Sequence, residues 1–148
     1  MSLLRTEPDI VDHREFSLID YRHGHTYAVV RGFPATDDGA PGGSPMRVLD
    51  IFFAGVERIS CSKDVGHVEV HRAGASERQA LAARIGRIRP GDSVFFLKGN
   101  STEDYIIASR MYWAEFDLPH GSMSPLASED SEYRSANPAV NNIVRFSD

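Results

Sequence analysis

The clearest pattern of apolar and polar positions lies in the middle of the chain, at residues 46–72. Leu49, Ile51 and Phe53 recur with a period of two, so they share one face of an extended strand. The dipeptide Ala54-Gly55 then allows a tight reversal, because glycine adopts positive φ without a Cβ penalty. We therefore expect three consecutive short strands in this stretch, the first two joined as a hairpin.

The third of these strands has the most regular alternation. Val68 and Val70 point to one side, and polar residues point to the other. The polar positions are His67, Glu69 and His71. This strand is expected to have one buried and one solvated face, while the second strand, at 56–61, keeps Ile59 and Cys61 on one side.

Four more segments rich in β-branched and aromatic residues predict strands on either side of this centre. They are residues 16–21, 26–33, 93–97 and 105–116. The first two are expected to form a hairpin around Arg22-His23-Gly24-His25. Residues 34–45 are rich in Pro, Gly and Asp, which predicts a long connection between the hairpin and the centre.

One helix is predicted, at residues 76–88. The run Ser76-Glu77-Arg78-Gln79 has the form of a capping box, in which the first and last side chains satisfy backbone amides of the first turn. Leu81, Ile85 and Ile88 fall on one face at about 100° per residue. This narrow apolar stripe is typical of a helix that packs on a sheet.

Together these elements predict an α+β domain with a mostly antiparallel, meander-like sheet of about seven strands and one helix packed on it. The length suits a single domain, 1–148, with a β-rich core at 16–118. Residues 1–15 are expected to be a loose lead-in, and 119–148 an irregular, extended tail. The apolar residues near its end, which favour docking on the sheet or on a second subunit, are Ile143, Val144 and Phe146.

Composition narrows the classes of function. The formal net charge of −5 argues against nonspecific nucleic-acid binding, which depends on clustered Lys and Arg. One arginine-rich segment is either a solvated helix face or a small positive patch. Its members are Arg72, Arg78, Arg84, Arg87 and Arg89. The N-terminus does not resemble a secretory signal, and no apolar stretch is long enough to span a membrane, so we expect a soluble cytoplasmic protein. The single Cys61 suits a buried structural thiol.

Six histidines raise the hypothesis of a metal site with Zn or Fe as the ion. The candidate ligands are His23, His25, His67 and His71. Alternate residues of a strand lie about 6.7 Å apart and can share an ion, whereas His67 and His71, about 13 Å apart, cannot. A turn containing two histidines and a solvated strand face are the competing interpretation.

Other catalytic signatures are not found in the sequence. The paired acids Asp37-Asp38, Glu103-Asp104 and Glu129-Asp130 fall in predicted loops or in the tail, where adjacent side chains diverge. No G-x-S-x-G nucleophile elbow occurs, and the glycines of GAPGGS lack the Lys-Ser/Thr pair of a phosphate-binding loop. The sequence therefore favours a protein that is not an enzyme.

Aromatic and arginine residues on the predicted strands are the remaining candidates for a binding surface. Tyr, Trp and Arg are the types that anchor protein interfaces, and ordinary packing in a sheet is the competing interpretation. The candidates are Tyr21, Arg31, Tyr112 and Trp113.

The order of the strands resembles a known class of proteins. A hairpin ending in Arg31-Gly32-Phe33, the strand VLDIFFAGVERIS with its step Phe53-Ala54-Gly55-Val56, and the late strand IIASRMYWAEF resemble small bacterial β-rich immunity proteins of polymorphic toxin systems, over residues 16–116. Such proteins have no catalytic residues and cover a toxin with a charged face. The resemblance therefore implies a stoichiometric acidic binder and assigns no particular residue.

From these observations we expect a non-catalytic protein-binding module. Its partner would be another protein or a second copy in a homodimer, without nucleic acid, membrane or cofactor. A small metal-dependent enzyme that uses the histidines is the alternative.

Overall fold

The computed structural model describes residues 9–22, 26–35, 45–99, 101–141 and 143–145. The strands are β1 (Asp9–Arg22), β2 (Tyr27–Phe33), β3 (Met46–Ser60), β4 (Asp64–Arg72), β5 (Ser93–Phe96), β6 (Tyr105–Leu118) and β7 (Val144–Arg145). The helices are α1 (Ala75–Ile85) and α2 (Ser131–Ala136). The described chain is therefore rich in β-strands, with one main helix, as predicted.

Six of these strands close into an antiparallel barrel. Around the barrel they lie in the order β1-β2-β3-β6-β5-β4, and β4 returns to β1. β3 pairs with β6 along almost its full length, from Met46 opposite Leu118 to Ser60 opposite Tyr105, and β7 pairs with β6 as a seventh strand. The predicted antiparallel sheet is confirmed. The order is not a single meander, because β3 lies beside β6 and β4 lies beside β1.

Alternate residues of the strands fill the interior of the barrel. The large apolar side chains that are buried there include Phe16, Val30, Ile51, Phe53, Val70, Phe95, Ile106 and Met111. Burial of one such side chain contributes about 1.5–3 kcal/mol. This interior is therefore the main source of stability, and it fixes which face of each strand points inward.

β3 is one strand of 15 residues, so the hairpin predicted within 46–72 is wrong. Gly55 does adopt a positive φ of 64°, but it forms a bulge rather than a turn. The pairing with β6 continues past it, with a shift in register between Val56 and Arg58. A continuous ladder and its buried residues outweigh the local preference of Ala-Gly for a reversal. The alternation predicted for β4 is confirmed, because Val68 and Val70 are buried.

β1 begins at Asp9, so the loose lead-in predicted over 1–15 is wrong for the part that the structure describes. Its inward positions are buried Ile10 and half-buried Asp12 and Arg14. Two charged residues at inward positions hide the period of two from sequence analysis. The strand also depends on pairing with β4, a contact that is distant along the chain.

α1 packs on the outer face of β5 and β6 through the buried side chain of Leu81. Its neighbours in this cluster are Val94, Phe96, Tyr105 and Ile107. The N-cap is Gly74, not the predicted Ser76, and its N–H donates to Glu77 Oε1 at 3.1 Å. The helix ends at Ile85, before the predicted residue 88, because Gly86 adopts a positive φ.

The segment after β6 covers the outer face of β3 and β6. Ile143 is buried there in a second apolar cluster, which confirms that it docks on the sheet. The strand residues of this cluster are Val48, Ala114, Phe116 and Leu118. The predicted irregular tail contains α2 and β7, and Phe146 lies outside the described residues. No helix in the described ranges is long and apolar enough to cross a membrane.

On the side of β4 that faces away from β1, β5 covers only the last residues of the strand. β5 pairs with β4 at His71 and Arg72 alone. Farther along this edge, Lys98 Nζ donates to the carbonyl oxygens of Val65 and His67 at 2.7 and 2.8 Å. The ammonium group therefore satisfies two backbone acceptors on a part of the edge that β5 does not reach.

Candidate binding cleft

A cleft of about 640 Å³ lies between the first half of β1 and the second half of β6. β2 pairs with β1 only from Glu15 onward, and β5 pairs with β6 only as far as Ala108. Each of these half-strands therefore extends beyond one of its neighbours in the barrel. Leu49 of β3 and residues of the segment 139–144 complete the walls.

Three charged side chains in the cleft belong to one hydrogen-bonded network. Arg14 donates from Nη1 to Asp12 Oδ2 at 2.9 Å and from Nη2 to Glu115 Oε2 at 2.7 Å. Its backbone N–H also donates to Asp12 Oδ1 at 2.9 Å. Asn141 Nδ2 donates to Glu115 Oε1 at 2.7 Å. The network thus joins β1, β6 and the C-terminal segment across the cleft.

The burial of this network is partial. The side chains of Arg14, Asp12 and Glu115 are 21%, 22% and 25% exposed. Charges at inward positions lose part of their hydration, a cost that only mutual pairing offsets. Sites for small molecules are concave and carry a few polar groups at fixed positions, and the volume of this cleft lies in their usual range.

Trp113 forms the aromatic wall of the cleft. It is 9% exposed, packs in the interior cluster and is the only tryptophan of the chain. Its residue type and its place on a predicted strand predict an anchor for a protein interface. The structure places it inside, because the odd-numbered residues in this part of β6 point into the barrel.

A second depression, the outer groove, lies on the outer side of β1 and β2 and is bordered by residues 120–124. Its volume is about 550 Å³. Ile19 and Met123 line it as exposed apolar residues, and the Phe33 ring lies 5.9 Å from the His120 ring at its wall. The charged residues around it are Asp20, Arg22, Lys63 and Asp64.

Arg31 lines the outer groove but is only 2% exposed, so it is not the exposed anchor that its sequence position predicted. Its Nε and Nη2 donate to Asp50 Oδ1 and Oδ2 at 2.7 and 2.9 Å. Its Nη1 donates to the carbonyl oxygen of Ser122 at 2.6 Å. Arg31 therefore ties the C-terminal segment to the barrel.

The other two predicted binding residues lie in different places. Tyr21 is 47% exposed near the end of β1. Tyr112 is half-buried on the outer face of β6, with its ring 6.3 Å from the Phe52 ring. Tyr21, Arg31, Tyr112 and Trp113 therefore do not form one surface.

The histidines on β4 have separate partners. His67 Nε2 lies 3.3 Å from Glu15 Oε1, and His71 Nε2 lies 3.2 Å from Glu77 Oε2. His23 and His25, the other proposed metal ligands, lie outside the described residues. Within the part of the chain that the structure describes, no group of three or more His, Cys, Asp or Glu side chains could hold a metal ion.

The predicted positive patch contributes to local structure. Arg78 donates to the backbone carbonyl oxygens of Asp92 and Arg89. Arg89 in turn forms an ion pair with Glu57, with Nη1 and Oε1 2.8 Å apart. The Arg78 bonds hold the turn before β5 against α1, and the Arg89 pair joins the same turn to β3.

Sequence signals for the cleft residues were weak. Asp12 and Arg14 lie in a stretch whose charges predict a loose lead-in, and Glu115 lies among mostly apolar residues of β6. The signal that could have identified them is the period of two, which places Ile10, Asp12 and Arg14 on the same side of a strand.

Comparison with known proteins gives no relative. No protein-family model matches the chain, and no curated protein or solved structure shows significant similarity to it.

Proposed function

We propose that this is a non-catalytic binding protein whose cleft holds a small organic ligand. The observation that carries the proposal is the network of Asp12, Arg14 and Glu115 at inward positions of the barrel. Apolar residues at these positions would stabilise the barrel more simply, since charged groups lose hydration there. Their placement beside Trp113 favours a role in recognition.

The residues of the cleft favour binding over catalysis. No serine, threonine, cysteine, histidine or lysine occurs among the described residues that line it. Asp12 and Glu115 both accept hydrogen bonds from Arg14, so neither carboxylate is paired with a nucleophile. The carboxylates, the guanidinium and the amide that line the cleft can orient a ligand and compensate its charge.

The fluorescence of Trp113 tests the proposal directly, because this residue is the only tryptophan and lines the cleft. The purified protein is titrated with a library of small amines, acids, alcohols and sugars, and melting temperature is measured in parallel. A ligand of the cleft should give a saturable change in fluorescence and raise the melting temperature with concentration.

Two variants with the same substitution provide the control. Asn141→Ala removes the side chain that holds Glu115 and should weaken binding, whereas Asn137→Ala lies outside the cleft and should not. A library that produces no saturable change in either signal would overturn the proposal.

The protein-binding module predicted from the sequence is the second candidate function. The observation that favours it is the outer groove, where exposed Ile19 and Met123 are surrounded by charged residues, as at many protein interfaces. The first occupant to test is a second copy of the chain. Light scattering should show a dimer that Ile19→Asp converts to a monomer, and a monomer at all concentrations would contradict self-association. The likeness to immunity proteins stays a prediction.

A further inference from the structure

The balance of charge in the cleft indicates the class of its ligand. Asp12 and Glu115 carry two negative charges there, and Arg14 is the only cation among the described residues that line the cleft. The cleft therefore has a formal charge of −1 before any ligand enters. The whole chain, at −5, adds a field of the same sign.

The balance of hydrogen-bonding groups points the same way. An ionised carboxylate offers about four acceptor sites, and Arg14 and Asn141 fill only part of this capacity. Arg14 already directs both Nη atoms to these carboxylates. The cleft therefore has acceptors to spare, which a donor-rich ligand can use.

The walls supply the other half of the recognition. Trp113 is 9% exposed and lines the cleft with part of its aromatic ring, against which an apolar group can pack. Ile10, Leu49 and Val144 offer apolar surface beside it. An apolar body with a cationic end matches both parts of the lining.

We propose that the ligand of the cleft is a small organic cation, an amine or a guanidinium on an apolar body. This inference rests on the binding function proposed above and specifies its ligand class. The cationic group lies against Asp12 and Glu115 beside Arg14, and the body lies against Trp113 and the aliphatic wall. An anion would meet Arg14 only together with the two carboxylates that already neutralise it.

The test compares three probes of one shape that differ in charge: phenethylamine, the neutral phenethyl alcohol, and the anionic 3-phenylpropanoate. Each is titrated into the full chain while Trp113 fluorescence is recorded. The amine should bind at least about tenfold more tightly than the alcohol, and the anion should bind most weakly. Added salt should weaken binding of the amine more than binding of the alcohol.

Variants localise the effect to the cleft. Glu115→Gln and Asp12→Asn should each weaken binding of the amine by about tenfold, with little change for the alcohol. Asp117→Asn is the matched control, because Asp117 is an exposed acid on β6 outside the cleft and its loss changes the net charge equally. Melting curves of all three variants establish that they are folded. If only one cleft variant folds, its ratio of amine to alcohol affinity decides the question.

The two levels of the proposal fail in different ways. If the alcohol or the anion binds as tightly as the amine, the ligand class is wrong while the binding function stands. The same holds if Asp117→Asn weakens the amine as much as the cleft variants do. If neither the three probes nor the wider library changes fluorescence or melting temperature, the binding function fails as well.

Discussion

The buried ion pair of Arg31 and Asp50 should control whether the C-terminal segment stays on the barrel. The two side chains are 2% and 0% exposed, and the guanidinium also holds the carbonyl oxygen of Ser122. Replacing Arg31 by Met removes the cation and leaves the Asp50 carboxylate buried without its partner. Breaking a buried pair in this way costs about 3–5 kcal/mol.

The corresponding loss in melting temperature follows from the size of the protein. At about 2.1 cal/mol/K per residue, 148 residues give an unfolding entropy of about 0.3 kcal/mol/K. The melting temperature of Arg31→Met should therefore fall by about 10–16 °C. Urea denaturation should show the same loss in free energy of unfolding.

A double variant separates the cost of an orphaned charge from the worth of the pair. Arg31→Met with Asp50→Leu leaves no buried charge, so it should be more stable than Arg31→Met alone. The Ser122 carbonyl oxygen still loses its donor, which costs about 1 kcal/mol or more.

The exposed pair Arg47 and Asp117 provides the control, because its Nε–Oδ1 distance of 2.7 Å equals that of the buried pair. Arg47→Met should leave the melting temperature almost unchanged, since solvent screens this pair. The reasoning is refuted if Arg31→Met costs no more than Arg47→Met, or if the double variant is less stable than Arg31→Met.

Two further variants and one chemical reaction test other parts of the fold. Gly55→Ala should lower the free energy of unfolding by about 2–3 kcal/mol in urea denaturation, because the positive φ disfavours Ala and the new Cβ would overlap the Ser109 hydroxyl; an unchanged midpoint contradicts this. Burial raises the pKa of the Cys61 thiol, so iodoacetamide at neutral pH should alkylate the folded protein more slowly than the denatured one, and equal rates would show the thiol to be accessible. The hydrogen bond from the Gly74 amide holds the pKa of Glu77 below its usual value of 4.5, so its stabilisation is present above that pH and is lost as pH falls through the lower folded-state pKa. Melting temperatures of the native protein and Glu77→Gln should therefore differ at neutral pH and converge in acid, and a difference that persists in acid argues against this role.

The sequence predicts the fold correctly where local pattern and burial agree. Val68 and Val70 alternate with polar neighbours and do face the core, and Leu81 does pack its helix on the sheet. The prediction is wrong where distant contacts override local preference. The local sequence at Gly55 predicts a turn, but pairing with β6 holds this residue in a continuous strand. β6 lies more than forty residues away in the sequence. A local sequence pattern cannot predict the pairing of β3 with β6.

The cleft was beyond sequence analysis for a related reason. Arg14 reads as a solvated charge until β1 is paired with β4, which turns its side chain inward. Its partner Glu115 is 101 residues away, and only closure of the barrel brings the two together. Charged residues at the inward positions of a strand interrupt its alternation of apolar and polar residues. The strand is then not predicted from the sequence.

Lys98 also bears on how copies of this protein meet one another. A strand edge with free carbonyl groups is a template on which a strand of another molecule can add, and this is a common route to aggregation. The ammonium group of Lys98 already occupies the carbonyl oxygens of Val65 and His67, and it places a charge where an incoming strand would have to lie. One flexible side chain thus guards the protein against strand addition in crowded solution, on a part of the edge that β5 does not reach.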